Sequence, residues 1–254
     1  MIKKFSICML GLLGLMACSD KVKKEETGNN KPVIEEKIIG PKEDYLVFEN
    51  SLTKKDIDSA SYINVELTNN GAKFSDKESS YIKIPNINLD LKEDFNISFW
   101  FKFYGMEGKI PKALLAYRGS SPSSNSPIFI YLPARKLSGS FGSQILWAEN
   151  YNMKEGNSKL YYDSVQLMPD TPYFVSINYL ENKMQFYVES ELYAEYENVS
   201  THDMIGKDLY LGGLLLNDEL KYPLDGSMKS LKIFSRSLTE KEIVKLYNVE
   251  LAFE

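Results

Sequence analysis

The amino-acid sequence predicts an all-β fold, a two-sheet antiparallel sandwich with one short helix near the C-terminus. The first observation is strict alternation over residues 95–103, where every second residue is Phe or Ile. The second is the same alternation in residues 173–179 and 184–188. Successive side chains of a strand point to opposite faces of a sheet, so this pattern is typical of strands. The third is that about a dozen such segments follow one another with turns between them, as in sandwiches.

Each strand candidate rests on this alternation, and polar or glycine-containing segments separate one candidate from the next. Residues 181–183 are predicted to turn the chain back between two of them as a hairpin. In chain order the candidates are residues 45–48, 63–67, 81–84, 95–104, 113–117, 128–132, 144–148, 173–179, 184–188, 192–196, 209–211 and 228–234.

The helix is predicted to begin at Thr239. Thr239 and Glu242 have the spacing of a capping box, in which each side chain accepts a hydrogen bond from the other residue's backbone N–H. Ile243, Leu246 and Tyr247 then share one apolar helix face. We expect this helix to pack over a sheet edge.

The composition excludes several classes of protein. Hydrophobic residues make up 43% and charged residues 26% of the 254 residues, which is typical of a globular protein and excludes a wholly disordered chain. A net charge of −5 argues against nucleic acid as a partner, because nucleic-acid binders present a basic face. Two Cys and one His exclude a disulfide scaffold and a zinc site built from several Cys and His.

Residues 1–17 are predicted to be a lipoprotein signal peptide. Lys3 and Lys4 precede an uncharged apolar run that is too short to span a bilayer as a mature helix. The run ends in Leu15-Met16-Ala17-Cys18, which resembles a bacterial lipobox. That resemblance implies that Cys18 becomes the lipidated first residue of the mature protein. The alternative is an ordinary signal peptide followed by a leftover thiol.

Residues 18–44 are predicted to be a flexible, lipid-anchored tether. Residues 19–30 contain a single apolar residue, Val22, so this stretch cannot bury enough surface to become ordered. The acidic residues soon after Cys18 resemble the surface-export signals of some Bacteroidota lipoproteins. We therefore expect a bacterial envelope protein, held at the outer membrane through its lipid and exposed at the cell surface. An inward-facing envelope location is the alternative.

Four segments within residues 45–254 resemble the laminin-G-like, concanavalin A-like domains of the lectin/glucanase superfamily. They carry the strand and helix motifs of that family in the family's order. The segments are Ser80-Tyr81-Ile82-Lys83-Ile84-Pro85, Asp94 to Lys102, Leu209-Tyr210-Leu211-Gly212-Gly213 and Leu224 to Ile243. The resemblance implies one jelly-roll domain over residues 45–254.

Calcium is a cofactor that the resemblance makes possible, although none is required. Relatives often hold an ion on the rim of the sandwich, and hard oxygen ligands suit calcium. The candidate ligands are Asp56, Asp58, Asn69 and Asn70, for which ordinary polar turns are the alternative. Lys229 stands where the family usually has Asp, which weakens an inherited site.

The resemblance also raises the question of catalysis, since some relatives are glycan hydrolases that aim carboxylates from one strand into a cleft. Retaining hydrolysis needs two carboxyl groups about 5–5.5 Å apart. Glu189 and Glu191 have the right parity, but they flank a predicted hairpin turn and no Asp completes the family motif. His202, the only His, lies in no recognisable nucleophile motif. We expect a protein that is not an enzyme.

The two tryptophans are predicted to have different roles. Trp100 lies in a strand that matches the family and is expected in the core, whereas Trp147 lies in a segment that does not match. An aromatic face with polar neighbours suits the apolar face and hydroxyls of a sugar. The candidate ligand-binding residues are Trp147, Tyr151, Tyr161, Tyr162, Arg118 and Asn125.

The leading functional hypothesis is non-catalytic recognition of a glycan or glycoprotein by this lectin-like domain. The first alternative is a structural or adhesive module that binds protein through sheet edges and loops. The second is a divergent glycan-cleaving enzyme.

Overall fold

The computed structural model describes residues 45–105, 111–118, 128–132, 143–144, 147–152, 157–161, 166–197, 207–216 and 218–249. These residues form nineteen strands and one helix, α1 (Glu240–Val249). The strands are β1 (Leu46–Asn50), β2 (Ser61–Ile63), β3 (Glu66–Thr68), β4 (Gly71–Phe74), β5 (Tyr81–Ile87), β6 (Phe95–Phe103), β7 (Lys112–Arg118), β8 (Ile128–Leu132), β9 (Ser143–Gln144), β10 (Trp147–Asn152), β11 (Asn157–Tyr161), β12 (Gln166–Leu167), β13 (Tyr173–Leu180), β14 (Lys183–Val188), β15 (Glu191–Tyr196), β16 (Lys207–Leu211), β17 (Leu214–Leu216), β18 (Glu219–Lys221) and β19 (Gly226–Phe234). Within this part of the chain, no helix is long and apolar enough to cross a membrane.

Two large antiparallel sheets make up the described domain. The eight-stranded sheet has the order β15-β14-β13-β6-β19-β4-β3, with β1 also paired to β19. The seven-stranded sheet has the order β11-β10-β8-β7-β16-β5-β2. Two small ladders, β9 with β12 and β17 with β18, complete the strand pairing. The predicted all-β, antiparallel two-sheet sandwich with a short C-terminal helix is confirmed.

The core lies between the inner faces of the two large sheets. The alternating Phe and Ile residues of β6 contribute five fully buried side chains from the eight-stranded sheet. Ile82 and Ile84 of β5, together with Leu209 and Leu211 of β16, belong to the same cluster from the seven-stranded sheet. Inner faces packed in this way form the single apolar core of a sandwich. Period-two alternation therefore predicts the core correctly.

One strand predicted over residues 63–67 is in fact two strands in different sheets. β2 pairs with β5 in the seven-stranded sheet, and β3 pairs with β4 in the eight-stranded sheet. Asn64 lies between them with φ of 50°, in the left-handed region that Asn tolerates better than most residues. Its Nδ2 donates a hydrogen bond to the Glu78 carbonyl at 2.6 Å. The chain therefore turns the corner of the sandwich at Asn64, inside a segment whose apolar pattern continues.

Two tight hairpins connect β13, β14 and β15. The first turn consists of two residues, Glu181 and Asn182, rather than the predicted 181–183, and both have positive φ. The second consists of Glu189 and Ser190, also with positive φ at both positions. Two-residue turns of this kind match the twist of the flanking strands. The hairpin predicted between Glu189 and Glu191 is thus present.

Helix α1 covers the outer face of the eight-stranded sheet and does not lie over a sheet edge as predicted. Ile243 and Leu246 pack against Trp100, Phe174 and other buried residues of that face. Tyr247 stacks on Trp100, with ring centroids 5.6 Å apart and an interplanar angle of 16°. The reason is that β6 and β13 also carry large apolar side chains on the face that points away from the core. Packing α1 on these side chains removes them from water. Trp100 is therefore buried, 3% exposed, but between sheet and helix.

The side chain of Asn178 fixes the segment that leads into α1. Its Oδ1 accepts the Leu238 N–H at 2.7 Å, and its Nδ2 donates to the Leu238 carbonyl at 2.9 Å. Asn96 Nδ2 donates to Ser176 Oγ at 2.8 Å and also lies 3.3 Å from Asn178 Oδ1. Buried polar groups that are hydrogen-bonded in this way fix one arrangement of a core rather than weakening it.

The predicted capping box is present at the start of α1. The Glu242 carboxylate accepts the Thr239 N–H at 2.9 Å, and Thr239 Oγ1 accepts the Glu242 N–H at 3.4 Å. Arg236 adds a two-pronged ion pair to the same carboxylate, with Nη1–Oε2 and Nη2–Oε1 distances of 2.9 and 2.6 Å. The hydrogen bonds from Arg236 lower the pKa of Glu242. Helix α1 therefore begins at a fixed point on the sheet.

We predict that Trp100→Ala destabilises the domain by about 3–5 kcal/mol, because it leaves a cavity between β6, β13 and α1. The free energy of unfolding from urea denaturation measures the effect. Tyr193→Ala is the matched control, because Tyr193 is 42% exposed on strand β15 and its loss should cost less than about 0.5 kcal/mol. A loss of stability at Trp100 no larger than the control's would contradict this description of the helix-covered face.

Candidate functional site

The outer face of the seven-stranded sheet, called here the outer face, is defined by residues that alternate with core residues along β5, β7, β8 and β16. On β5, Ile82 and Ile84 point into the core, so Tyr81 and Lys83 lie on the outer face. Strand pairing places Tyr210 of β16 between Lys83 of β5 and Ala116 of β7. Directly opposed residues of antiparallel strands share a face, so these three positions form one row across the sheet.

The β17–β18 hairpin covers the part of the outer face that lies over the start of β7. Leu214 packs there with Ala113, Ala116, Tyr131 and Tyr210 in one apolar cluster. Ala113 and Ala116 are fully buried, and their small side chains allow the hairpin to approach closely. Among the described residues, the contacts of the hairpin do not extend to the end of β7 or the start of β16.

Strand register brings three of the predicted ligand-binding residues to the outer face. Trp147 of β10 is paired with Tyr131 of β8, an outer-face residue. Tyr151 follows at the same parity on β10, and Arg118 at the end of β7 is paired with Asp208 of β16. Trp147, Tyr151 and Arg118 therefore occupy register positions on one face, although 33 positions separate Arg118 from Tyr151 in the sequence.

The register places Tyr161 on the other side of the sheet. Tyr161 of β11 is paired with Ala148 of β10, and Ala148 is paired with Ile130, a core residue. Its position thus belongs to the inner face, away from Trp147. Tyr162 and Asn125 lie outside the described residues, as do Cys18 and His202. Their proposed roles stay predictions.

The sequence analysis did not predict three polar or aromatic residues of the outer face, which are Lys83, Asp208 and Tyr210. Lys83 Nζ lies 2.7 Å from Asp208 Oδ2 and 5.8 Å from the centroid of the Tyr210 ring. The hydrogen bond to Asp208 raises the pKa of Lys83 despite partial burial. The signal was present in the sequence, because these residues take the alternate positions of segments whose other positions are Ile or Leu.

The predicted calcium ligands have other partners or lie on exposed turns. Asp56 Oδ1 accepts a hydrogen bond from Asn50 Nδ2 at 2.7 Å, and its Oδ2 lies 3.3 Å from Lys54 Nζ. The bond from Asn50 lowers the pKa of Asp56. Asp58 is exposed, and Asn69 and Asn70 form the exposed turn between β3 and β4. In the described ranges, no three Asp, Glu, His or Cys residues are grouped as a metal site would require.

The carboxylates considered for catalysis, Glu189 and Glu191, lie at the hairpin between β14 and β15 of the eight-stranded sheet. Glu189 Oε1 accepts the Phe174 N–H at 2.9 Å, and the Glu189 side chain is also hydrogen-bonded to Tyr247. Burial raises the pKa of Glu189. Glu195 lies 3.7 Å from Lys183 and accepts a 2.7 Å hydrogen bond from Gln185. These contacts connect turns, strands and α1 to one another, whereas Glu191 is exposed at the start of β15.

Solved structures of similar fold include carbohydrate-bound domains. The ligand-binding domain of botulinum neurotoxin serotype D, in complex with N-acetylneuraminic acid, has 16% identity and a TM-score of 0.61, covering 82% of this chain and 51% of that chain. Domain 4 of the arabinanase AbnA from Geobacillus stearothermophilus, in complex with arabinotriose, has 16% identity and a TM-score of 0.55, covering 80% and 98%. The CBM40 module of the Ruminococcus gnavus IT-sialidase, bound to α2,3-sialyllactose, has 13% identity and a TM-score of 0.50, covering 64% and 92%.

At these identities the similarity establishes the fold, and the chain spans about half the length of the neurotoxin domains that it matches. A comparison with curated proteins gives no match. The laminin-G-like family model, described as the concanavalin A-like lectin/glucanase superfamily, matches residues 76–244. Because the match spans more than half of its residues, the chain belongs to the concanavalin A-like lectin/glucanase superfamily.

Proposed function

We propose that this chain is a lipid-anchored protein of the bacterial envelope that binds a glycan, alone or on a glycoprotein, without cleaving it. The observation that carries the proposal is the register of the seven-stranded sheet, which aligns Trp147, Tyr151 and Arg118 on the outer face. An aromatic ring suits the apolar face of a sugar, and charged groups nearby suit its hydroxyls.

The outer face is wide enough for an oligosaccharide. From β16 to β10 the sheet crosses three strand spacings, or about 14 Å. The β17–β18 hairpin stands on one side of this strip and holds Tyr210 and Tyr131 in fixed positions. A site of this kind binds a ligand that lies across the strands and contacts several side chains at once.

The similar structures support the ligand class but do not identify the sugar. The three described above hold N-acetylneuraminic acid, arabinotriose and sialyllactose. Their sequence identities of 13–16% are too low to carry individual binding residues to this chain.

Three features support the non-catalytic part of the proposal. The Glu189 carboxylate accepts a hydrogen bond from the Phe174 N–H and is hydrogen-bonded to Tyr247. The Glu195 carboxylate forms an ion pair with Lys183 and accepts a hydrogen bond from Gln185. Hydrolysis would need two carboxyl groups across a cleft from a bound glycosidic bond. On the outer face, Asp208 of β16 is paired with Lys83, and Glu149 lies at a register position on β10, three strand spacings or about 14 Å from β16.

The anchoring part of the proposal rests on the sequence. Residues 1–17 act as the signal peptide, Cys18 carries the lipid, and residues 18–44 tether the domain to the outer membrane at the cell surface. Several acyl chains on one cysteine give stable attachment, because each buried methylene contributes about 0.8 kcal/mol.

We predict that Trp147→Ala weakens glycan binding by about tenfold or more, as expected when a central aromatic contact is lost. Binding is measured on a glycan array and then by calorimetry with the full chain in detergent. Trp147→Phe is the matched control, because it retains an aromatic face, and melting should change little in either variant. A large fall in melting temperature for Trp147→Ala would place Trp147 in the core. Unchanged affinity in a folded variant would move the site to another surface, such as the loop around Asp56.

A second prediction concerns catalysis. The chain should release no new reducing ends or unsaturated products from a broad panel of polysaccharides, because the carboxylates of Glu189 and Glu195 are engaged in structural hydrogen bonds. Glu189→Gln and Glu191→Gln are the diagnostic variants. Turnover by the unaltered chain that disappears in either variant would show that it is an enzyme.

The third prediction concerns the anchor. Cys18→Ala should transfer the protein from the membrane pellet to the soluble fraction and abolish incorporation of labelled fatty acid. Cys8→Ala is the matched control, because Cys8 lies within the predicted signal peptide and its loss should leave both readouts unchanged. Persistent pelleting and labelling of the Cys18→Ala variant would contradict lipidation at this residue.

A further inference from the structure

Three charged residues lie on adjacent strands of the outer face. Asp208 of β16 stands between Lys83 of β5 and Arg118 of β7, and these three residues are called here the charged trio. Lys83 Nζ is 2.7 Å from Asp208 Oδ2, and Arg118 is the residue paired with Asp208 across the ladder. Two basic residues and one acidic residue therefore occupy neighbouring register positions.

The charged trio has the opposite sign to the whole chain. Its formal charge is positive, because Lys83 and Arg118 outnumber Asp208, whereas the chain carries a net charge of −5. The hydrogen bond between Lys83 and Asp208 raises the pKa of Lys83, so the Lys83 side chain stays protonated at neutral pH. A positive spot on an acidic protein is a place where a ligand anion would restore charge balance.

Packing holds Lys83 in position before any ligand arrives. Its ammonium group lies over the Tyr210 ring at 5.8 Å, and Tyr210 itself is 6% exposed beneath the β17–β18 hairpin. Tyr81 flanks the same ring, with centroids 6.4 Å apart. A side chain that is already ordered loses little conformational entropy on binding, which favours recognition at this point.

We propose that the glycan bound by the outer face is acidic, and that a sugar carboxylate binds at the charged trio while another ring of the same oligosaccharide lies against Trp147. This inference rests on the function proposed above and names its substrate class. A guanidinium group matches a carboxylate with two parallel hydrogen bonds, and a nearby ammonium adds a third charge-assisted donor. β7 and β10 are two strand spacings apart, about 10 Å. Trp147 is paired with Tyr131, whereas Tyr117, next to Arg118, is paired with Ile128, so Trp147 also lies about four residues, or about 13 Å, further along the strands. An oligosaccharide, rather than two adjacent rings, is therefore needed to reach both positions.

The test compares each acidic probe with its own methyl ester, which removes the charge and keeps the sugar's shape. The probes are α2,3-sialyllactose, trigalacturonic acid and the methyl ester of each, with arabinotriose as a neutral probe, titrated into the full chain in detergent. At least one acid should bind about tenfold more tightly than its ester, as expected for hydrogen bonds between charged groups. Equal affinity for acid and ester, or binding of arabinotriose alone, would overturn this inference and leave glycan binding intact. A chain that binds none of these probes would contradict both proposals.

Variants assign the preference to the charged trio. Arg118→Gln and Lys83→Gln should each reduce the difference between acid and ester, and the double variant should abolish it. Lys73→Gln is the matched control, because Lys73 lies on β4 of the other sheet, paired with Glu66, and carries the same change of charge. Trp147→Ala should weaken acid and ester by the same factor. A preference for the acid that survives the double variant would place the carboxylate elsewhere.

Discussion

The buried side chain of Asn178 is the contact on which the arrangement of this domain depends. Both of its polar atoms bond the backbone of Leu238, so the chain that leaves β19 is fixed on the eight-stranded sheet immediately before α1. The bidentate Arg236–Glu242 pair and the capping box then set the helix direction. As a result, α1 covers Trp100 and Phe174, and the outer face of the eight-stranded sheet is closed to ligands at that point.

This closure gives the two sheets different roles. The eight-stranded sheet buries aromatic residues on both faces, and its half-buried carboxylate Glu189 connects a hairpin to α1. The seven-stranded sheet is covered on its outer side by a small hairpin over the start of β7, beyond which Lys83 and Asp208 are partly exposed. The outer face of the seven-stranded sheet thus carries Lys83 and Asp208 beside the ring of Tyr210, and the proposed sugar site includes these charged and aromatic residues.

The sequence predicted the sheets well because burial on one face leaves a period-two pattern in a single segment. The pattern over residues 95–103 identified β6 and its core face, and the spacing of Thr239 and Glu242 located the start of α1. Contacts between residues of different strands could not be predicted from this pattern. The pairing of Lys83 with Asp208 joins residues 125 positions apart, and the inner-face position of Tyr161 depends on the register between β10 and β11. Short strands such as β17 and β18 were missed because they contain too few residues to show a period.

The measurement that tests the central claim most directly is a crystal structure of the domain with a bound oligosaccharide. The account predicts a sugar on the outer face of the seven-stranded sheet, with one ring against Trp147 and polar contacts to Arg118, Asp208 or Lys83. The side of the domain that carries α1 should hold no ligand. A sugar bound only at the loop around Asp56, or at the surface formed by Glu189, Tyr247 and α1, would contradict the account.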